Sequence, residues 1–196
     1  MNTRKRLSTA ERRHDILTAA REHFRRSPFA EVSVPAIAED AGSSQSLIYH
    51  YFRSKPGLHT ATVAHALESQ HRRRAEARAA LEDGQPLHYR VEILFLAHLD
   101  AIVEEPLLLP GATEPESTLV VRREAETAFA QELSDLIGVG DANARHRWAV
   151  TGIIGFLHRA AGLWSRDGFP ADQRRPLVEA ARGAMEGALG DWQARG

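Results

Sequence analysis

Two short helices separated by one glycine are predicted for residues 33–52, and this segment constrains the fold more than any other. Ser33 is a favourable N-cap for the first helix, and Gly42 follows its last turn. Either Ser43 or Ser44 caps the second helix. Glycine readily adopts the left-handed conformation that a tight turn between two helices requires. The segment therefore has the organisation of a helix-turn-helix.

Apolar residues recur at helical spacing along the rest of the chain, and no alternating run bounded by turn residues predicts a strand. The first helix has Thr9 as its predicted N-cap and ends before Pro28, and the fourth runs from Ser54 to about Glu82. The later helices are predicted at 87–104, 117–137, 142–165 and 172–193. We therefore predict an all-α protein with a three-helix head over residues 1–60 and a larger helical bundle over 61–196.

Composition limits the class of protein. The 196 residues are 43% hydrophobic and 26% charged, as in ordinary globular domains. Because the chain lacks cysteine, disulfides and thiolate chemistry are excluded. The basic N-terminus precedes no apolar signal segment, and no apolar run reaches bilayer length, so a cytoplasmic location without membrane contact is expected. Residues 1–60 hold ten basic against six acidic side chains, which favours phosphate binding by the head.

The second helix of the motif has one inward and one outward side. Ile48 and Phe52 lie four residues apart and are predicted to pack inward. The outward side carries polar and apolar residues together, namely Ser46, Leu47, Tyr49 and His50. A helix that exposes such residues is explained if a partner covers them. Spacing alone fits a small helical hairpin with ordinary surface aromatics equally well.

The run SVPAIAEDAGSSQSLIYHYFRSKPGL, residues 33–58, resembles the DNA-binding signature of the tetracycline-repressor (TetR) family. The resemblance spans about residues 10–60, and the rest of the chain resembles the family only in being helical. The matching positions are Ile37-Ala38, Ala41-Gly42, Tyr49-His50-Tyr51-Phe52 and Ser54-Lys55. The resemblance implies that this segment binds double-stranded operator DNA.

The resemblance also implies a role for individual positions. Contacts with DNA bases are implied for Gln45, Ser46, Leu47 and His50. Contacts with phosphates are implied for Tyr49, Tyr51 and Lys55, the last beside a helix N-terminus. The chain departs from common family residues at His23, Pro28, Ser43, Ser46 and Leu47. Because of these departures, the operator sequence cannot be inferred from the motif.

The last two predicted helices are apolar on more than one side, and such a helix needs two partners. On the penultimate helix Gly152 and Gly155 occupy the side away from the main apolar stripe. The stripe of the last helix is rich in alanine and comprises Leu177, Ala181, Ala184, Met185, Ala188 and Trp192. Burial within one chain is one explanation. Pairing with the same helices of a second copy is the other, and the family resemblance favours this homodimer.

His98 interrupts an apolar stripe on the predicted helix 87–104. A buried imidazole needs a hydrogen-bond partner, because desolvation otherwise costs about 1–3 kcal/mol. The partner is either a side chain of a neighbouring helix or a ligand, since ligand cavities combine apolar walls with a few polar groups. On the second interpretation His98 contacts a small-molecule effector.

Catalytic and metal-binding patterns are weak in this sequence. His65, Glu68 and His71 share a helix face only imperfectly, so neither a metal site nor a cofactor is predicted. Phosphate-binding glycine loops and zinc-protease motifs are absent, and no enzymatic activity is predicted. The predicted function is a repressor that a small-molecule effector releases from a palindromic operator. The alternative is a DNA-bound dimer whose C-terminal domain binds a protein and has no small-molecule effector.

Overall fold

The computed structural model describes residues 8–82, 84–139 and 143–190. Within these ranges the regular elements are all helices, and no β-strand is present. The all-α class predicted from the apolar periodicity is therefore confirmed. The α-helices are α1 Thr9–Arg26, α2 Val34–Asp40, α3 Gln45–Phe52, α4 Lys55–Ala79, α5 Leu87–Glu104, α6 Glu116–Ile137, α7 Ala144–Arg166 and α8 Ala171–Leu189. Single 3-10 turns at Phe29–Glu31 and Pro106–Leu108 were not predicted. In the described ranges, no helix combines the length and apolar character needed to cross a bilayer.

The chain divides into two compact units. The first contains residues up to 66 together with 110–121, and the second contains 67–109 together with the residues from 122 onward. Helices α4 and α6 contribute residues to both units. The division predicted at residue 60 also falls within α4, but no feature of the sequence indicated that residues 110–121 lie with the first unit.

Helix α1 begins one residue earlier than predicted, because Ser8 and not Thr9 is its N-cap. The Ser8 hydroxyl accepts a hydrogen bond from the Glu11 amide at 3.2 Å, and the Glu11 carboxylate accepts one from the Ser8 amide at 2.7 Å. This reciprocal pair is a capping box. The hydrogen bond from the Ser8 amide lowers the pKa of Glu11, because it stabilises the carboxylate. The apolar stripe of α1 is buried as its spacing predicts, at Ile16, Leu17, Ala20 and Phe24.

Side-chain hydrogen bonds hold the start of α6 to α4 inside the first unit. The Nδ1 atom of His59 lies 2.8 Å from the Thr118 hydroxyl, and the Thr60 hydroxyl lies 2.8 Å from that of Ser117. The His59 ring also packs edge-on against Phe24, with 4.7 Å between ring centroids. These contacts join residues that are nearly sixty positions apart in the sequence, so local patterns could not reveal them.

The second unit has an apolar core formed mainly by α5, α6, α7 and α8. Its fully buried side chains include Val91, Phe95, Leu99, Leu133, Leu157, Ala161, Ala181 and Met185. The buried guanidinium of Arg122 donates hydrogen bonds to the carbonyls of residues 107, 108 and 109, at 2.9, 2.7 and 3.3 Å. Arg122 therefore satisfies backbone oxygens of the turn that follows α5, where no regular ladder is available. Trp192, which was predicted to extend the stripe of α8, lies outside the described residues.

Candidate nucleic-acid interface

Helix α3 is fixed in place by its N-cap and by two buried side chains. The Ser44 hydroxyl accepts a hydrogen bond from the Leu47 amide at 3.2 Å, which identifies Ser44 as the N-cap. Ile48 is fully buried and Phe52 nearly so, as their spacing predicts. The guanidinium of Arg13 lies over the Phe52 ring at 5.3 Å from its centroid. One side of α3 is therefore packed against the rest of the first unit, and the opposite side faces outward.

The turn between α2 and α3 has the geometry that its glycine predicted. Gly42 adopts φ = 55°, and its amide donates to the Glu39 carbonyl at 3.0 Å. The Ser43 amide donates to the Ala38 carbonyl at 2.8 Å. The Ser43 hydroxyl, however, is buried without a hydrogen-bond partner among the described residues. An apolar side chain at position 43 would therefore avoid the cost of desolvating this hydroxyl.

The two adjacent serines give opposite predictions. Ser43→Ala is expected to raise the free energy of unfolding by about 1 kcal/mol, because it removes an unsatisfied buried hydroxyl. Ser44→Ala is expected to lower it by about 1 kcal/mol, because the α3 N-cap is lost. Urea denaturation of the two variants beside the unsubstituted protein measures both. A loss of stability in Ser43→Ala would show that its hydroxyl has a partner.

The side chains predicted to contact bases lie on the outward side of α3. Gln45, Ser46 and His50 are exposed, whereas Leu47 is half-buried. The Gln45 side-chain amide lies 3.4 Å from the Tyr49 hydroxyl, and the Ser46 hydroxyl lies 3.0 Å from that of Ser44. Apart from these local contacts, the structure brings donors and acceptors together along the outer edge of one short helix. Such groups can hydrogen-bond with base edges in a major groove.

Two of the residues predicted to contact phosphates lie on the same helix, and the third begins α4. Tyr49 is 37% exposed and Tyr51 is half-buried. The Lys55 ammonium donates to the Ala30 carbonyl at 3.0 Å and lies 4.8 Å from the centroid of the Phe29 ring. An ammonium has three donors, so this bond leaves others for a phosphate oxygen. The contacts with Ala30 and Phe29 were not predicted, and they hold the ammonium beside the start of α4.

Sequence reasoning missed two residues that shape the connection between α3 and α4. Arg53 adopts φ = 69°, which is uncommon for a residue with a side chain. A Cβ atom added to Gly57 would lie 2.1 Å from the Phe52 carbonyl oxygen, so only glycine fits there. No positive φ is needed at Gly57; the requirement comes from the close approach of backbone. The signal available in the sequence was the position of Gly57, two residues after Lys55 at the start of a predicted helix.

The residues predicted for a homodimer interface divide into exposed and buried ones. Gly152, Gly155 and Ala184 are exposed, and Leu177 and Ala188 are half-buried. Ala181 is fully buried within its own chain, so its place on a free face is corrected. The outward side of α7 also exposes large apolar residues, namely Trp148, Phe156 and Leu163. Trp148 is 67% exposed.

His98 is buried in the second unit and has a partner from a neighbouring helix. Its Nδ1 atom lies 3.3 Å from Nη1 of Arg74, and its ring stacks on Phe129 with 4.5 Å between centroids. Burial, together with the nearby His158 and Arg74, lowers the pKa of His98 well below its usual value. The ring is therefore neutral near pH 7. In the described ranges, no group of three or more potential ligands is placed to hold a metal ion.

Comparison with known proteins places this geometry in a family. Residues 16–62 match the family model described as bacterial regulatory proteins, tetR family. The HTH-type transcriptional regulator BetI of Pseudomonas paraeruginosa is 38% identical over 93 residues, which are 47% of this chain and 43% of that protein. A tetR-family transcriptional regulator from Streptomyces coelicolor has a TM-score of 0.71 at 25% identity, over 93% of this chain and 80% of that one. Residues 16–62 of this chain are therefore a TetR-family segment.

A more distant structure shows the same fold. The transcriptional regulator FadR from Bacillus subtilis, in complex with stearoyl-CoA, has a TM-score of 0.68 at 16% identity, over 90% of this chain and 97% of that one. The match to BetI spans less than half of that protein's length. The match to the TetR family therefore lies in residues 16–62, which contain α2, the turn and α3, and the structural comparison extends only the likeness of fold to the rest of the chain.

Proposed function

We propose that this chain is a sequence-specific DNA-binding transcriptional regulator. The observation that carries the proposal is the outward side of α3, where Gln45, Ser46 and His50 are exposed on a helix locked by buried Ile48 and Phe52. A helix held in this way enters a major groove as one rigid element, and its polar side chains meet base edges. Tyr49, Tyr51 and Lys55 then contact the flanking phosphates.

We also propose that the regulator acts as a homodimer. The outward side of α7 and the exposed small residues of α8 form an apolar face, and a second copy covers it through the same residues. A two-fold interface of this kind requires matching half-sites, so the operator is palindromic. Trp148 and Phe156, which a lone chain would expose to water, become buried in this arrangement.

A small-molecule effector bound in the second unit is proposed to release the operator. The support is a buried polar group, His98, within an otherwise apolar core, together with the fold shared with a protein described in complex with stearoyl-CoA. The alternative is a DNA-bound dimer whose second unit binds a protein and has no small-molecule effector. Because both candidates are dimers, release of the operator by a small molecule that binds the second unit is the observation that distinguishes them.

Charge removal at Lys55 tests the phosphate contact. Lys55→Met keeps an apolar stem against Phe29 and removes the ammonium, so it is expected to weaken binding to all DNA sequences. The slope of log K against log salt should fall by about 0.9, the value for one phosphate contact on duplex DNA. Arg175→Met, which removes an exposed cation from the second unit, is the control and should leave the slope unchanged. An unchanged slope in Lys55→Met removes Lys55 from the interface.

His50 is expected to act on sequence preference and not on the salt slope. His50→Ala should relax the preference at one or two base pairs, each by about 1–3 kcal/mol, because a base-edge contact is lost. Competition titrations with single-base operator variants measure this preference. If His50→Ala discriminates among these variants as well as the unsubstituted protein, His50 does not contact bases.

A further inference from the structure

His98 carries a buried N–H group that has no acceptor among the described residues. The guanidinium of Arg74 only donates hydrogen bonds, so the Nδ1 atom of His98, 3.3 Å away, must be the acceptor. In the neutral ring the proton then resides on Nε2. This Nε2 atom is buried and has no hydrogen-bond partner among the described residues. Native structures satisfy nearly all such donors, so an acceptor that the described residues do not provide is expected.

The direction of this donor is fixed by its neighbours. The His98 ring is stacked on Phe129, with 19° between the ring planes. The Arg74 guanidinium lies over the same Phe129 ring at 4.1 Å and donates through Nε to Glu132 at 2.9 Å. Rotating His98 to hide Nε2 would break its bond with Arg74. Side chains of α4, α5 and α6 therefore fix the orientation of the Nε2–H donor of His98.

The surroundings define the chemistry of the missing acceptor. On α5 the buried residues within four positions of His98 are apolar, including Leu94, Phe95, Leu99 and Ile102. The cationic Arg74 already has the carboxylate of Glu132. The ring of His158, 5.1 Å from that of His98, already has the carboxylate of Glu126 at 3.1 Å. Because Arg74 and His158 are each already paired with a carboxylate, they offer little stabilisation to an additional buried anion. The site therefore presents one neutral hydrogen-bond donor, the Nε2–H group of His98.

We propose that the second unit binds an uncharged, largely apolar molecule whose carbonyl oxygen accepts the hydrogen bond of His98 Nε2. A carbonyl suits the site better than a hydroxyl, because it brings no further donor into apolar surroundings. The proposal rests on the effector-binding role proposed above and specifies the class of effector. It assigns to His98 the recognition of the polar end of that molecule.

The test uses two probes of the same shape, cyclohexanone and methylenecyclohexane, which differ in the acceptor oxygen. The 196-residue chain is labelled with ¹⁵N in its histidine rings, and each probe is titrated while the His98 Nε2–H signal is followed. Cyclohexanone is expected to shift this signal and to bind roughly three- to tenfold more tightly, the contribution of one neutral hydrogen bond. Methylenecyclohexane should leave the signal in place. The proposal is overturned if the two probes bind equally well or if the proton resides on Nδ1. It is also overturned if the Nε2–H signal responds to a bound water and to neither probe.

Two substitutions separate recognition from folding. The Oδ1 atom of Asn in His98→Asn takes the place of Nδ1 and still accepts from Arg74, but the outer donor is missing. The longer side chain of His98→Gln places an amide N–H near the position of Nε2. Preference for cyclohexanone is expected to vanish in His98→Asn and to persist in His98→Gln. Preference retained in His98→Asn overturns the proposal.

Operator binding in the same samples keeps this test distinct from that of the proposed function. Both variants should bind DNA as the unsubstituted protein does when no probe is present. If cyclohexanone binds at His98 and operator affinity does not change, the site stands and the effector role fails. If neither probe binds while DNA binding is intact, the DNA-binding function stands and the site is wrong.

Discussion

Glu132→Gln is expected to lower the free energy of unfolding by about 3–5 kcal/mol. The Arg74 guanidinium is buried, and its Nε donates to Glu132 at 2.9 Å. Burial lowers the pKa of Arg74, and the Glu132 carboxylate opposes this shift. Removing the negative charge leaves a buried cation without compensation, which costs far more than losing an exposed ion pair. Urea denaturation near pH 7 measures the change.

A matched exposed pair provides the control for this substitution. Arg175 and Glu179 lie one turn apart on α8, 3.0 Å from each other and largely in solvent. Glu179→Gln is expected to cost no more than about 1 kcal/mol. Adding Arg74→Met to Glu132→Gln should recover part of the loss, because neither charge then remains buried. Equal losses in Glu132→Gln and Glu179→Gln would contradict a role for burial.

Ala184→Glu is expected to dissociate the dimer and to weaken operator binding about a hundredfold or more. Ala184 is exposed on α8, among the small residues of the proposed dimer face. A carboxylate at each of two symmetric positions would have to leave water to enter this interface, which costs several kcal/mol per charge. Loss of the second DNA-binding head removes the gain in affinity that two linked heads provide. Sedimentation and fluorescence-anisotropy titrations with operator DNA measure the two effects.

Ala171→Glu is the control, because it makes the same change at an exposed alanine at the start of α8. It should leave the protein dimeric and its operator affinity within about twofold, since a carboxylate is favourable at a helix N-terminus. A monomeric unsubstituted protein at micromolar concentration would contradict the dimer. So would a dimer of Ala184→Glu with full operator affinity.

Local signals in the sequence were sufficient to predict the helix-turn-helix. Ser33, Gly42 and Ser44 act on residues within four positions of themselves, so each helix end could be located from its own neighbourhood. The burial of Ile48 and Phe52 follows from their spacing on one side of α3. The TetR resemblance added the implied DNA contacts, which spacing alone left open.

Features that depend on distant segments could not be predicted. Ala181 has the same residue type as Ala184, and only the packing of α8 within its own unit decides which of them is buried. His98 was recognised as unusual, but its contacts with Arg74 and Phe129 depend on how three helices meet.

The most direct test of the DNA-binding function is selection by the 196-residue chain from a pool of random duplexes of about 30 base pairs. Repeated binding and recovery is predicted to converge on two inverted half-sites related by two-fold symmetry. The same selection with His50→Ala should give a motif relaxed at symmetric positions in both half-sites. A pool that stays random after repeated rounds, although the protein is folded, would contradict the account.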